Sequence, residues 1–220
     1  TGALLGGASL RRAKLTRATL YGTDLRDSDL RDADLSRCDM RGACLRGANL
    51  GGANLSGCDL REGVTAVQDD EKGLRILEHS KRPGELDYAM LQGANLNGAQ
   101  MSGAFARQAD FTDADLSNVT LQGAKLTNAV MDGADLSGAN LHNAEMSKVS
   151  LRRAIMVGVD VSGADLTDAD MTFAEGPDGQ ILVWARITHF DDGTALGPVA
   201  LARWVERGVE IRGIGTLWAP

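Results

Sequence analysis

An all-β solenoid is the fold class that this sequence predicts, and three observations predict it. A large apolar residue recurs at every fifth position over most of the chain, a small residue stands two places before nearly every one of them, and the chain of 220 residues holds only 4 Phe, 3 Trp and 2 Tyr. At 43% hydrophobic it carries enough apolar material to fold. With so few rings, the core has to be built from Leu, Met, Val and Ala, which suits a narrow axis rather than a wide globular interior.

The first block runs from Leu5 to Leu60 without a miss, Met40 being the one position that is not Leu. The second runs from Leu86 to Met171, with Ala106, Phe111 and Val161 among its departures. A period of five fits no α-helix, since five steps of about 100° carry the apolar residue round by about 140° each time. It fits no long strand either. It does fit a short extended piece in which positions i−2 and i point the same way, followed by a turn. The chain must then coil about an axis, with backbone groups paired between coils, Leu filling the axis and Ala at i−2 keeping the walls close. Gly, Asn and Asp recur at the outward corners, where turns need them.

Ala33-Asp34-Leu35, Ala48-Asn49-Leu50, Ala94-Asn95-Leu96, Ala134-Asp135-Leu136 and Ala164-Asp165-Leu166 resemble the A(D/N)Lxx unit of pentapeptide repeat proteins. The resemblance covers roughly two-thirds of the chain. It implies a right-handed quadrilateral parallel β-helix with four units to each 20-residue coil, and it implies no single function. Members of that family include topoisomerase-binding proteins that protect against quinolones, cyanobacterial regulators and many proteins of no assigned activity.

Four segments follow: a solenoid block over 1–65, an insertion over 66–83, a second solenoid block over 84–176 and a terminal element over 177–220. The apolar register moves between the blocks from multiples of five to multiples of five plus one, so residues have been inserted. Asp69-Asp70-Glu71 supplies helix N-terminal chemistry and Leu74, Ile76 and Leu77 an apolar stripe, while Pro83-Gly84 stops it. The spacing predicts a short helix over 69–80. It would either pack its stripe on the solenoid wall or project toward a partner. Beyond Phe173 the repeat ends, and all three Trp fall in the last 40 residues. A strand over 181–187, a helix over 198–207 and an extended segment over 209–218 are predicted there. Val199, Leu201, Trp204 and Val205 would cover the last coil or form a dimer contact, since a solenoid exposes an apolar end.

The inventory of reactive groups points away from catalysis. Cys38 and Cys58 each replace an Ala at i−2, one coil apart in the geometry that the resemblance implies, and read as buried free thiols; Cys44 reads as an exposed one. His79, His142 and His189 fall in three regions with no Cys at metal-ligand spacing. Neither a phosphate-binding loop nor a nucleophile elbow occurs. A filled axis leaves no room for a ligand pocket of about 300 Å³. The expectation is a non-enzymatic protein with no cofactor and no metal, whose sites lie on its outer faces, its ends or its insertion.

Charge is uneven along the chain, whose net is −7. Residues 1–60 hold 9 basic and 7 acidic residues, whereas 84–176 hold 5 and 13. Asp110, Asp113, Asp115, Asp132 and Asp135 are expected to form an acidic ridge on two adjoining faces, with no Lys or Arg beside it. Full mimicry of duplex DNA would need about 13 charges over the roughly 22 Å of the second block; its net is −8. Mimicry is therefore open to a local surface alone. Val130, Ile155 and Val157 stand at outward sites and form a candidate apolar contact, with Met90 and Phe105 more isolated. Phe105 and Ala106 reverse the usual order of small and large and put the local register in question.

Two functions remain, a protein–protein interaction scaffold and an acidic binder of a type II topoisomerase. Arg26, Arg31, Arg41, Arg46 and Arg61 break up any continuous negative surface on the first block and favour the scaffold. The expected partner is another protein, including a second copy or an end-to-end neighbour, and neither nucleic acid nor membrane. No basic-then-apolar leader and no run of 18 apolar residues occurs, which sets a cytoplasmic expectation. Thr1 stands within the repeat pattern, so the first coil is expected to be extended or covered by further chain.

Overall fold

The computed structural model describes residues 2–61, 66–69, 73–76 and 86–175. Each repeat places one residue, at i−1, in a parallel bridge to the residue 20 positions on: Ser9 to Asp29, Asp29 to Asn49, Asp110 to Val130 and Val130 to Ser150 along one side. Four such ladders run the length of the solenoid, so its cross-section has four sides. We number them by their first apolar residue: Leu5 opens the first side, Leu10 the second, Leu15 the third and Leu20 the fourth. The third side carries eight rungs, at Lys14, Asp34, Asn54, Asn95, Asp115, Asp135, Ile155 and Glu175.

Backbone hydrogen bonding explains why five residues suffice. In the unit centred on Leu35, Ala33 N–H closes the preceding turn on Leu30 C=O (3.1 Å) and Asp34 N–H reaches back one coil to Ala13 C=O (2.9 Å). Leu35 N–H and Arg37 N–H reach forward to Asn54 and Ser56 C=O, both at 2.8 Å. Four of the five N–H groups are thus satisfied by backbone. The corner turns through a residue at positive φ at i+2, which is Gly in half the units (Gly133, φ 70°) and otherwise Asp, Asn, Arg or a rarer choice such as Tyr88 (φ 61°). An i+3 to i hydrogen bond around a left-handed third residue is the geometry of a type II turn.

The axis is filled as the periodicity requires. From Leu25 onward the described i residues through Met156 are fully buried, and Leu166 and Met171 are too. Phe105 points outward from its bridge with Lys125 while Ala106 is buried, so the register holds there. Ala106 is smaller than the Leu or Met usual at that position, and Phe111, the largest buried side chain among the described residues, stands at the next inward position. Cys38 and Cys58 are buried free thiols, donating from Sγ to Leu15 C=O (2.9 Å) and Leu35 C=O (2.8 Å). Hydrogen bonding with Cys38, together with burial, pushes the Cys58 thiol well up. Cys44 is half-buried rather than exposed.

The insertion differs from expectation. Ala66–Asp69 (β1) and Gly73–Ile76 (β2) form an antiparallel pair with Ala66 opposite Ile76 and Asp69 opposite Gly73, where a helix over 69–80 was predicted. Leu74 and Ile76 fit a period of two as well as a helical stripe, and Gly73 would cost a helix interior about 1 kcal/mol. Asp70, Glu71 and Leu77 lie outside the described residues. The ladder offset rises from 20 to 41 at Asn49–Met90, Asn54–Asn95 and Asp59–Gln100, an insertion of 21 residues and three more than 66–83 contains. Twenty-one is a multiple of five plus one, which is why the apolar register shifts while the ladders of the second, third and fourth sides run on unbroken. The predicted terminal elements, with Val199, Leu201, Trp204 and Val205, lie outside the described residues.

Candidate functional site

With the axis filled, surface chemistry is set by the corners. The fifth N–H of each unit, at i+1, has no backbone partner, and an Asp or Asn at i−1 supplies one. Asn95 Oδ1 accepts from Asn97 N–H (2.9 Å), Asp115 Oδ1 from Ser117 N–H (3.0 Å) and Asp135 Oδ1 from Ser137 N–H (2.9 Å). This is the physical reason for the D/N of the repeat: a short side-chain acceptor caps the turn two residues on.

In the first block the same carboxylate also grips an arginine. Arg26, Arg31, Arg41 and Arg61 each donate through Nε and Nη2 to Asp24, Asp29, Asp39 and Asp59, the Arg31 pair at 2.8 and 2.6 Å. Hydrogen bonding from Arg31 holds the Asp29 carboxyl down at about 2. Asp24, Asp39 and Asp59 are lowered for the same reason. Arg46 has no Asp at i−1 and lies over the Tyr88 ring at 5.7 Å.

The acidic candidates come together over two consecutive coils, but they are not alike. Asp110 lies on the second side, Asp113 and Asp132 at the corner between second and third, and Asp115 and Asp135 are bridged neighbours on the third. The expectation that no cation stands beside them fails at Asp132. Arg152, one coil on, donates to its Oδ2 through Nε (2.9 Å) and Nη2 (2.5 Å) and to Oδ1 through its backbone N–H (3.1 Å). The unit of Arg152 has Ser150 at i−1, which cannot cap the turn as Asp does, and Asp132 supplies the acceptor from the coil below. Asp87 does the same for Arg107, whose unit has Phe105 at i−1. The spacing of 20 between Asp and Arg was the signal that would have found both pairs. Asp110 accepts from Gln92 Nε2 (2.6 Å) and Thr112 N–H (2.9 Å), while Asp113 sits exposed over Gly133.

The apolar candidates are divided. Ile155 and Val157 are 37% and 39% exposed on the third side and its following corner, whereas Val130 is half-buried on the second side. The Asp132–Arg152 pair occupies the corner between the two sides. Sequence reasoning missed Tyr88, 49% exposed and in reach of Gln108, and Arg107, which lies over the Phe105 ring at 5.3 Å. Among the described residues no group of three or more His, Cys, Asp or Glu could hold a metal, and no helix is long and apolar enough to cross a membrane. His142 contacts Asn143; His79 and His189 lie outside the described residues.

Fold and surface define a four-sided parallel β-solenoid whose corners are capped by its own side chains. The family model for pentapeptide repeats (8 copies) matches residues 1–32, 25–61, 89–128, 114–153 and 144–175. The chain belongs to the pentapeptide repeat family, and its solenoid is a right-handed β-helix. Among solved structures it is similar to HetL, a pentapeptide repeat protein involved in heterocyst differentiation regulation from the cyanobacterium Nostoc sp. strain PCC 7120, at 30% identity over 83% of this chain and 86% of that one, TM-score 0.33. Rfr23 from the cyanobacterium Cyanothece 51142 matches at 28% identity over 60% and 90%, TM-score 0.38. QnrB1, a plasmid-mediated fluoroquinolone resistance protein, matches at 19% over 93% and 95%, TM-score 0.33. No curated protein matches the chain.

Proposed function

We propose that this chain is a non-enzymatic protein–protein interaction scaffold. One observation carries the reading: from Leu25 to Met156 the described i residues fill the axis with zero exposure, so chemistry is left to the outer surface, where Asp and Asn side chains are already engaged in capping corners. What remains free to meet a partner is a rigid side about 4.8 Å per rung. Ile155 and Val157 form one apolar contact, Val130 a lesser one, and the exposed Tyr88 and Met90, with Arg46, provide the aromatic, Met and Arg character that interface centres favour. The buried thiols Cys38 and Cys58 suit a reducing compartment, and we place the protein in the cytoplasm. Immobilising the intact chain and recovering a stoichiometric partner tests the reading; failure to retain any protein would overturn it.

A second reading, binding to a type II topoisomerase through the acidic ridge, is favoured by the bridged pair Asp115 and Asp135 with Asp110 and Asp113 alongside. Against it stand the neutralisation of Asp132 by Arg152 and the four arginine clamps of the first block. A gyrase supercoiling assay with the intact chain separates the two.

A further inference from the structure

The third side is bipolar. Counting its rungs with their flanking corners, the first rung carries Arg11, Arg12, Lys14 and Arg17 and no acidic residue. Lys14 and Arg17 make no ion pair among the described residues, and Arg11 and Arg12 share the exposed Asp32 at 3.5 and 3.7 Å. The second rung is balanced, with Arg31 and Arg37 against Asp32 and Asp34. The third and fourth rungs carry no charge: Asn54 and Asn95 stand at the bridge, and Gly52, Gly57, Gly93 and Gly98 at the corners raise no side chain above the surface. The fifth and sixth rungs carry Asp113, Asp115, Asp132 and Asp135, and the seventh brings Arg152 and Arg153.

We propose that the third side is a self-association surface on which two copies of this chain lie antiparallel, the basic first rung of each against the acidic rungs of the other. The inference rests on the scaffold reading and names a partner for it. A two-fold axis along the strand direction, placed between the third and fourth rungs, sets rung one on rung six, rung two on rung five and rung three on rung four. Lys14 then faces Asp135, Arg12 faces the corner where Asp132 keeps its own pair with Arg152, and Arg31, clamped on Asp29, stands with Asp32 opposite the corner of Asp113, so Lys14 on Asp135 is the leading charge pair. The uncharged middle rungs lie flat on one another, where their corner glycines let two backbones approach. Asp34 faces Asp115, a like-charge contact that works against this register and that the neutral donors on Asp34, from Thr16, Ser36 and Asn54, do not cancel. Sliding one copy along the other by a single rung, so that seven rungs overlap, would bring Arg11 and Arg12 against Arg152 and Arg153, so repulsion selects the register as much as attraction does.

The chain leaves the coil after Arg61, at the corner between the fourth and first sides, and rejoins at Leu86 on the first side, across the axis from the third. Six rungs span about 29 Å. So narrow a strip buries less than the roughly 1,600 Å² of a standard interface, which makes the dimer weak and its charge pairing decisive.

Sedimentation equilibrium of the full chain as a function of salt tests this. The expected result is a monomer–dimer equilibrium in the micromolar range at low salt that weakens at least tenfold between about 50 and 300 mM, as exposed pairs are screened. Two variants make the test specific. Arg12→Asp with Lys14→Glu, and Asp113→Lys with Asp135→Lys, place at each site a residue type the fold already accepts there: Asp27 and Lys148 stand at equivalent positive-φ positions, Glu145 and Lys125 at equivalent bridges. Each variant alone should be monomeric, and a mixture of the two should recover a 1:1 dimer, which no folding defect would produce. A wild-type chain that stays monomeric at 100 µM in low salt, or a dimer indifferent to both variants, overturns the proposal. Neither outcome touches the scaffold reading, which stands or falls on capture of a different protein.

Discussion

Each five-residue unit leaves one backbone donor unserved, and the choice of side chain at i−1 follows from that single deficit. Asp or Asn corrects it within the unit; where Phe105 or Ser150 stands instead, Asp87 or Asp132 corrects it from the coil below. The D/N preference was visible in the sequence because it repeats, whereas Asp132 was read as a free ridge charge because its partner is 20 residues away. Thr23 shows the opposite case: its Oγ1 is buried with no hydrogen-bond partner, while Ser28 at the equivalent place donates to Leu25 C=O at 2.7 Å. Thr23→Val keeps the shape and removes the orphan hydroxyl. It should raise stability by about 1 kcal/mol, read as a higher midpoint in thermal unfolding. Leu136→Asp should do the reverse. It puts a charge with no partner into an axis where Leu136 has zero exposure, at a cost of several kcal/mol. A midpoint near that of the wild type would show that the axis admits water.

At the scale of the element, the first block is fastened by carboxylates that clamp arginines and the second mainly by carboxylates that cap Ser and Thr corners without an arginine. Their responses to acid should differ. The clamped Asp29 carboxyl is held down at about 2, below the value of about 3.9 in an unfolded chain, so the clamp's contribution is fully present above pH 4 and is lost as pH falls through the folded value. Arg31→Gln removes the charged partner. The difference in unfolding midpoint between wild type and Arg31→Gln should therefore be largest above pH 4 and vanish near pH 2, and a gap that is constant with pH would mean the clamp adds nothing. Repeat units were legible because apolar spacing and turn chemistry agree at every one of them. The insertion was not: Asp69, Leu74 and Ile76 satisfy helix and hairpin patterns over so short a stretch, and the antiparallel pairing of Ala66 with Ile76 is a contact that local spacing does not encode.

At the scale of the whole molecule, the question is whether the acidic rungs act as a charge surface or stand as capped corners that happen to be negative. Substitution by Asn answers it, because Asn already caps such corners, as Asn49 does for Gly51 N–H at 3.1 Å, and so removes charge without removing the cap. Asp110, Asp115 and Asp135 cap in this way, and Asp113 sits at a positive-φ position of the kind that Asn118 and Asn128 also occupy. Asp132 should be left in place, since Arg152 depends on it. The resulting four-Asn chain should unfold within a few degrees of the wild type. If the ridge binds the DNA groove of a type II topoisomerase, the variant should lose any effect on gyrase supercoiling, and the wild-type effect should weaken steeply with salt, since exposed pairs are screened over about 8 Å at physiological ionic strength. If the protein works through its apolar contacts, the same variant should still retain its partner on the column, and Ile155→Ser with Val157→Ser should release it. We expect the second pattern, because Ile155 and Val157 are large side chains exposed without a cover among the described residues. A four-Asn chain that loses both its partner and its effect on gyrase would reverse that assignment.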